Sequence, residues 1–186
     1  MDGQEKKVFL VKTLAFLSLI RWYNLQLIIL AQVFAALFII HFDAPKLPIL
    51  LDFRFFITIL SSDLIIAGGY LINAFYDFEK DLVNERKDLI INKVISKNFT
   101  LKAYLFLSFA GIVLGLSGGF RVVIFNIIFA FLLWLYSHKF KKMLFMGDLM
   151  ASLLTVSSFL VVSIYFYSLP SLIIIYALFI FIVELI

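Results

Sequence analysis

Residues 55–88 read FFITILSSDLIIAGGYLINAFYDFEKDLVNERKD, and the change of character inside that stretch decides the fold. Its first part is apolar for long enough to cross a bilayer core, which takes about 20 residues. Asn73 lies inside the apolar run. Asp77, Glu79, Asp81, Glu85 and Asp88, five of the chain's twelve acids, come directly after it. On a helix turning about 100° per residue, with Asn73 at zero, Asp77 falls at roughly 40°, Asp81 at roughly 80°, Asn84 at roughly 20° and Asp88 at roughly 60°. These oxygen-bearing side chains share an arc of about 80°. A row of carboxylates and amides on one face repels itself unless a cation sits there. Hard divalent cations take oxygen ligands, and Mg²⁺ is held by one or two carboxylates plus substrate phosphates. A solvated helix end of mixed charge accounts for Glu79, Lys80, Glu85 and Lys87. It does not account for Asn73 inside the apolar run with acids stacked beyond it.

Outward from that stretch the composition is that of a membrane protein. Of 186 residues, 64% are hydrophobic, and the mean hydropathy is +1.10, against about 45–50% apolar residues in soluble domains. There is no cysteine, which excludes disulfides, thiol catalysis and thiolate metal sites. The formal charge of +4 does not point to nucleic acid, because the basic residues cluster at loop ends. The N-terminus lacks a cleavable-signal pattern: Lys12 interrupts the apolar run, Arg21 follows it, and there is no Ala-x-Ala site.

Apolar segments at 14–42, 55–76, 101–116, 120–136 and 149–167, and one starting near 172, predict about six helices. The first is too long for one straight crossing, and Arg21 and Asn24 mark its edge, with 25–40 as the buried part. Lys and Arg set the orientation. Thirteen lie in the N-terminal segment, the loop after the second span and the loop after the fourth. Only Lys46, Arg54 and Arg121 fall on the other side. That asymmetry predicts a cytoplasmic N-terminus and a cytoplasmic acidic segment. The expected fold is therefore all-α, a polytopic transmembrane bundle forming a single domain over residues 1–186.

Three segments together carry a family resemblance. Gly68-Gly69-Tyr70-Leu71-Ile72-Asn73, followed by Asp77, Asp81 and Asn84, resembles the first aspartate-rich motif of the UbiA family of intramembrane prenyltransferases. Arg21-Trp22-Tyr23-Asn24 resembles that family's Arg-Pro-x-Asn, with Trp22 in place of Pro. Tyr136-Ser137-His138-Lys139, then Lys141, Lys142 and Gly147, resembles the Tyr-Ser segment after the fourth helix, with Asp148 replacing Asn. The chain departs from the family at Ala74, where Asp is usual. The resemblance implies nine helices, of which about six are present, and a second aspartate-rich motif expected just after Glu184, so the chain is expected to be C-terminally incomplete.

The resemblance implies Mg²⁺-dependent transfer of a prenyl group from an allylic isoprenoid diphosphate to a hydrophobic acceptor. That acceptor is aromatic or lipid, as in quinone or ether-lipid synthesis. Asn73, Asp77 and Asp81 are the implied metal ligands, and Lys139 is the implied catalytic cation. Arg21, Asn24, Asn84, Asp88, Tyr136 and Lys142 are expected to bind substrate. Asp63 is a mid-span acid at roughly the azimuth of Asp81, and intramembrane acids suggest function. It is expected to face the same cavity from deeper in the membrane, or else to bond a neighbouring helix. One alternative is a transporter or ion-binding module with an acidic cytoplasmic mouth. It predicts acids within several spans, yet only Asp63 is plainly intramembrane, and Lys139, Lys141 and Lys142 lie on the acidic side. A CDP-alcohol phosphotransferase is disfavoured because its Asp-Gly-x-x-Ala-Arg pattern is missing.

Overall fold

A computed structural model describes residues 3–83 and 94–185, without the side chains of 79–83. The described elements are helical: α1 (Gly3–Leu19), α2 (Trp22–Ala35, widening into a π-helical turn over Ala36–Ile40), α3 (Leu47–Leu50) and α4 (Phe53–Val83) lead. They are followed by α5 (Lys97–Leu114), α6 (Phe120–His138), α7 (Met146–Phe166) and α8 (Ser171–Leu185). Five are long and apolar enough to cross a membrane: Trp22–Ile40, Phe53–Phe78, Lys97–Gly118, Phe120–Lys142 and Met146–Phe166. The sixth expected segment, α8, is a shorter apolar helix of 15 residues. The long first apolar segment divides at Arg21, as its length required. There the backbone turns left-handed (φ 51°, ψ 52°) and ends α1 before α2 begins.

α4 is the axis of the bundle and packs against α2, α5, α6 and α7. Its 31 residues extend about 46 Å at about 1.5 Å each, well beyond a hydrocarbon core of about 30 Å. The apolar run therefore continues as helix into the charged segment. Its start is fixed by Asp52, whose Oδ1 accepts the backbone N–H groups of Arg54 (3.0 Å) and Phe55 (3.2 Å). The other Asp52 oxygen accepts the Tyr165 hydroxyl at 2.6 Å, tying the start of α4 to the end of α7.

Small residues let α4 and α5 approach closely. A Cβ on Gly111 would lie 2.6 Å from the Ser61 carbonyl oxygen, and one on Gly68 would lie 2.9 Å from Ser108 Oγ. Polar groups then tie the helices together in the interior. Asn126 of α6 is fully buried and donates to Ser61 Oγ (3.1 Å) and the Gly111 carbonyl (3.3 Å). Gln32 of α2, equally buried, donates to Ser62 Oγ of α4 (3.3 Å) and the Ser158 carbonyl of α7 (2.7 Å). Around these ties two apolar clusters fill the core. Ile65, Ile66, Phe129 and Leu154 lie on the Asn73 side, and Phe55, Ile59, Val122 and Val161 on the other. Large apolar side chains cover much of the remaining surface, among them Leu27, Phe106, Phe109 and Phe179, as lipid contact requires.

Candidate functional site

The site is built on the middle turns of α4 (Phe53–Val83) and the stretch just beyond them. Ile66, Gly69, Tyr70 and Asn73 line a cavity of about 550 Å³, and their helical spacing places them in one stripe. α2 contributes Asn24, Leu27 and Ile28, and Arg21 stands at its start. The α6 end supplies Phe129, Leu133, Tyr136 and Ser137, and α7 supplies Leu154, Thr155 and Ser158. The result is graded. Charged and amide groups gather at the α4 C-terminal end, while isoleucine, leucine and phenylalanine side chains line the deeper part.

Lys141 sits on a single 3₁₀ turn, Phe140–Lys142, that follows α6. Its ammonium donates to Asn73 Oδ1 at 2.9 Å and forms a short ion pair with Asp77 Oδ2. The two side chains are only about a quarter to a third exposed (Lys141 31%, Asp77 25%), so the pair is partly shielded from water. Arg21 approaches from the opposite helix, its guanidinium carbon 5.2 Å from the Tyr70 ring centroid. That cation–π contact holds the charge at the cavity wall. The left-handed backbone at Arg21 costs a non-glycine residue about 1–2 kcal/mol and sets the angle from which the side chain enters.

The structure brings together Arg21, Asn24, Asn73 and Tyr136 around the cavity, with Asp77 joined to them through Lys141. Asp81 lies on α4, but its side chain, like Asn84 and Asp88, is outside the described residues. Lys139 and Lys142 are exposed and do not line the cavity. The cation that reaches the acids is Lys141, which lies between them. Asp63, expected either to face the cavity or to bond a neighbouring helix, does neither among the described residues. It is buried and absent from the cavity wall, and neither carboxylate oxygen has a hydrogen-bond partner among the described residues. Asp63 packs in the bundle interior, and the wall on its side of α4 is formed by Ile66 and Tyr70. Glu184 of α8, expected only as the residue preceding a second acidic motif, itself lines the cavity.

Among the described residues no three His, Cys, Asp or Glu side chains converge to hold a metal ion. The donor set nevertheless suits a hard cation. Asn73 Oδ1 and an Asp77 carboxylate oxygen already converge on one cationic group, the Lys141 ammonium. An amide oxygen and one carboxylate are a partial Mg²⁺ shell, of the kind that substrate phosphates complete.

Five membrane-length helices, four of which line a cavity with a charged rim and an apolar interior, define a multi-pass integral membrane protein. The particular family follows from comparison. Residues 29–185 match the UbiA prenyltransferase family, and the chain belongs to that family. It is 30% identical over 99 residues to a digeranylgeranylglyceryl phosphate synthase of Sulfolobus acidocaldarius, an alignment covering 53% of this chain and 36% of that protein. A solved structure from work on digeranylgeranylglyceryl phosphate synthase in membranes superposes with a TM-score of 0.72 at 25% identity, covering 94% of this chain and 58% of that one. The chain thus spans little more than half of that solved chain and about a third of the curated relative.

Proposed function

We propose that this chain carries the donor half of a Mg²⁺-dependent prenyltransferase site, with a glyceryl phosphate ether as acceptor. The ion-paired cluster of Lys141, Asn73 and Asp77 at the rim of an apolar cavity carries this reading. A prenyl diphosphate has the same division into an anionic head and an apolar tail. The acceptor class is suggested by the Sulfolobus relative, whose name describes a digeranylgeranylglyceryl phosphate product. Quinone-type aromatic acceptors are the alternative.

In the reaction the allylic carbon–oxygen bond breaks and its electron pair leaves with the diphosphate. A hydroxyl oxygen of the acceptor then bonds to the allylic carbon and gives up its proton. Mg²⁺, when bound, would neutralise charge developing on the diphosphate, with Asn73, Asp77 and Asp81 as the residues to hold it. Arg21 and Lys141 would bind leaving-group oxygens through charge-assisted hydrogen bonds. Tyr70 and Tyr136 would present aromatic faces to the allylic carbon as it gains positive charge. Phe129, Leu133 and Leu154 would keep water from the carbon and seat the tail. The orientation that places this rim in the cytoplasm is part of the proposal and rests on the Lys and Arg distribution.

Three oxygen ligands are few for a metal–diphosphate complex, and these residues span 58% of the solved relative, so we expect no turnover from the 186-residue chain alone. The test uses membranes expressing the complete reading frame that encodes it. Labelled geranylgeranyl diphosphate is offered with geranylgeranylglyceryl phosphate or with an aromatic hydroxy acid. Transfer to the glyceryl phosphate is expected, and transfer only to the aromatic acid would overturn the acceptor assignment. Full activity of the isolated 186-residue chain would show that the metal site needs no further ligands.

A further inference from the structure

We infer that Lys141 is an exchangeable counter-ion, which closes the Asn73–Asp77 pair to a bare divalent cation and releases it only when the metal arrives with a diphosphate. The inference rests on the metal–diphosphate reading of the site and adds an order of loading to it. The first observation is steric. The ammonium lies 2.9 Å from Asn73 Oδ1 and pairs with Asp77 Oδ2. Mg²⁺ bridging those two oxygens at about 2.0–2.1 Å would take the place the ammonium now holds.

The second observation is the charge balance. A bare divalent cation on the Asn73 and Asp77 oxygens would stand directly beside the Lys141 ammonium, two like charges in a partly dry site. A diphosphate of about three negative charges gives both cations a counter-charge. The third observation is freedom to move. Lys141 is a compact charge on a four-carbon stem with three donors, rooted in a three-residue turn and lining the cavity it would enter. When the metal takes the Asn73 and Asp77 oxygens, the ammonium turns to a diphosphate oxygen. No covalent bond changes. Metal and diphosphate therefore bind cooperatively, each raising the affinity for the other by the same factor.

The test measures binding to the purified product of the complete reading frame in detergent, with Mn²⁺ followed by paramagnetic resonance and inorganic diphosphate as the second ligand. In the wild type, diphosphate should tighten Mn²⁺ binding roughly tenfold or more. Lys141→Met removes the competing charge, so Mn²⁺ alone should bind about tenfold tighter. The same variant should lose most of the gain from diphosphate. Lys141→Gln, which keeps a polar donor at the position, should behave as Lys141→Met does and stands in for it if the apolar variant fails to fold. Lys141→Arg retains the charge and should bind Mn²⁺ alone as weakly as the wild type. Neutral variants that bind Mn²⁺ alone no tighter than a wild type that still takes metal with diphosphate would overturn the exchange and leave the prenyltransferase reading intact. A wild type that binds neither ligand in any combination would remove both.

Discussion

Replacing Asp77 by Ala leaves the Lys141 ammonium partly buried without its counter-charge, and replacing Lys141 by Met strands the carboxylate in turn. The cost can be worked from the pair's exposure. Breaking a fully buried pair by removing one partner costs about 3–5 kcal/mol, and an exposed pair is worth about 0.2–1 kcal/mol. With Lys141 31% and Asp77 25% exposed, the pair falls between these limits, and a coupling of about 1–2 kcal/mol is expected. The double variant should therefore be more stable than the sum of the single losses by that amount. The assay is a double-mutant cycle on unfolding free energies, measured by denaturant titration in mixed micelles. Asn73 sharpens it. Its Oδ1 also accepts from Lys141, so Asn73→Ala should reduce the coupling cost of Lys141→Met by no more than one neutral-acceptor hydrogen bond, about 0.5–1.5 kcal/mol. If the Asp77 and Lys141 effects add to within about 0.3 kcal/mol, as independent sites do, the ion pair is not part of the folded protein and the argument built on it fails.

Three further outcomes follow from the packing and the charges. Gly111→Val puts a branched side chain where a Cβ already lies 2.6 Å from the Ser61 carbonyl oxygen; it should separate α4 from α5 and destabilise the bundle by about 1–3 kcal/mol, and a variant as stable as the wild type in the same titration would contradict that contact. Lys139→Met and Lys142→Met, at exposed positions away from the cavity, should leave diphosphate binding in the presence of Mg²⁺ within about twofold, whereas Arg21→Ala should weaken it roughly tenfold or more by calorimetry. Because the chain has no cysteine, single cysteines at the exposed positions Asp43 and Lys142 can be labelled cleanly; an impermeant maleimide should reach the first from outside and the second only after lysis, and the reverse pattern would invert the orientation.

Much of the site was legible in the sequence because α4 is one uninterrupted helix. Its periodicity holds from Ile66 through Gly69, Tyr70 and Asn73 to Asp77, so residues sharing an azimuth on paper share a face in the bundle. Arg21 was legible for a different reason: a charged residue in a segment too long for one crossing has to mark an edge. The same wheel gave Asp63 an azimuth near that of the cavity face, but azimuth does not say which side chains a neighbouring helix covers: Asp63 is buried and off the cavity wall, while Gln32 ties Ser62 to Ser158. That tie joins residues 126 positions apart, which no local pattern reveals. Lys139 was read in place of Lys141 because three lysines crowd one loop. A signal was nevertheless present. Leu133, Ser137 and Lys141 are spaced by four, and continuing the α6 period past its last turn brings Lys141, not Lys139, onto the cavity face.

The central claim is that Asn73 and Asp77 hold a divalent metal whose partner is a prenyl diphosphate. The most direct measurement is geranylgeranyl transfer by membranes expressing the complete reading frame, with and without Mg²⁺, for the wild type and Asp77→Ala at matched expression. Transfer is expected to stop when Mg²⁺ is chelated, to return when it is restored, and to fall roughly a hundredfold or more in Asp77→Ala, the loss of several kcal/mol of transition-state charge stabilisation. An Asp77→Ala enzyme as fast as the wild type, or transfer indifferent to chelation, would contradict the claim.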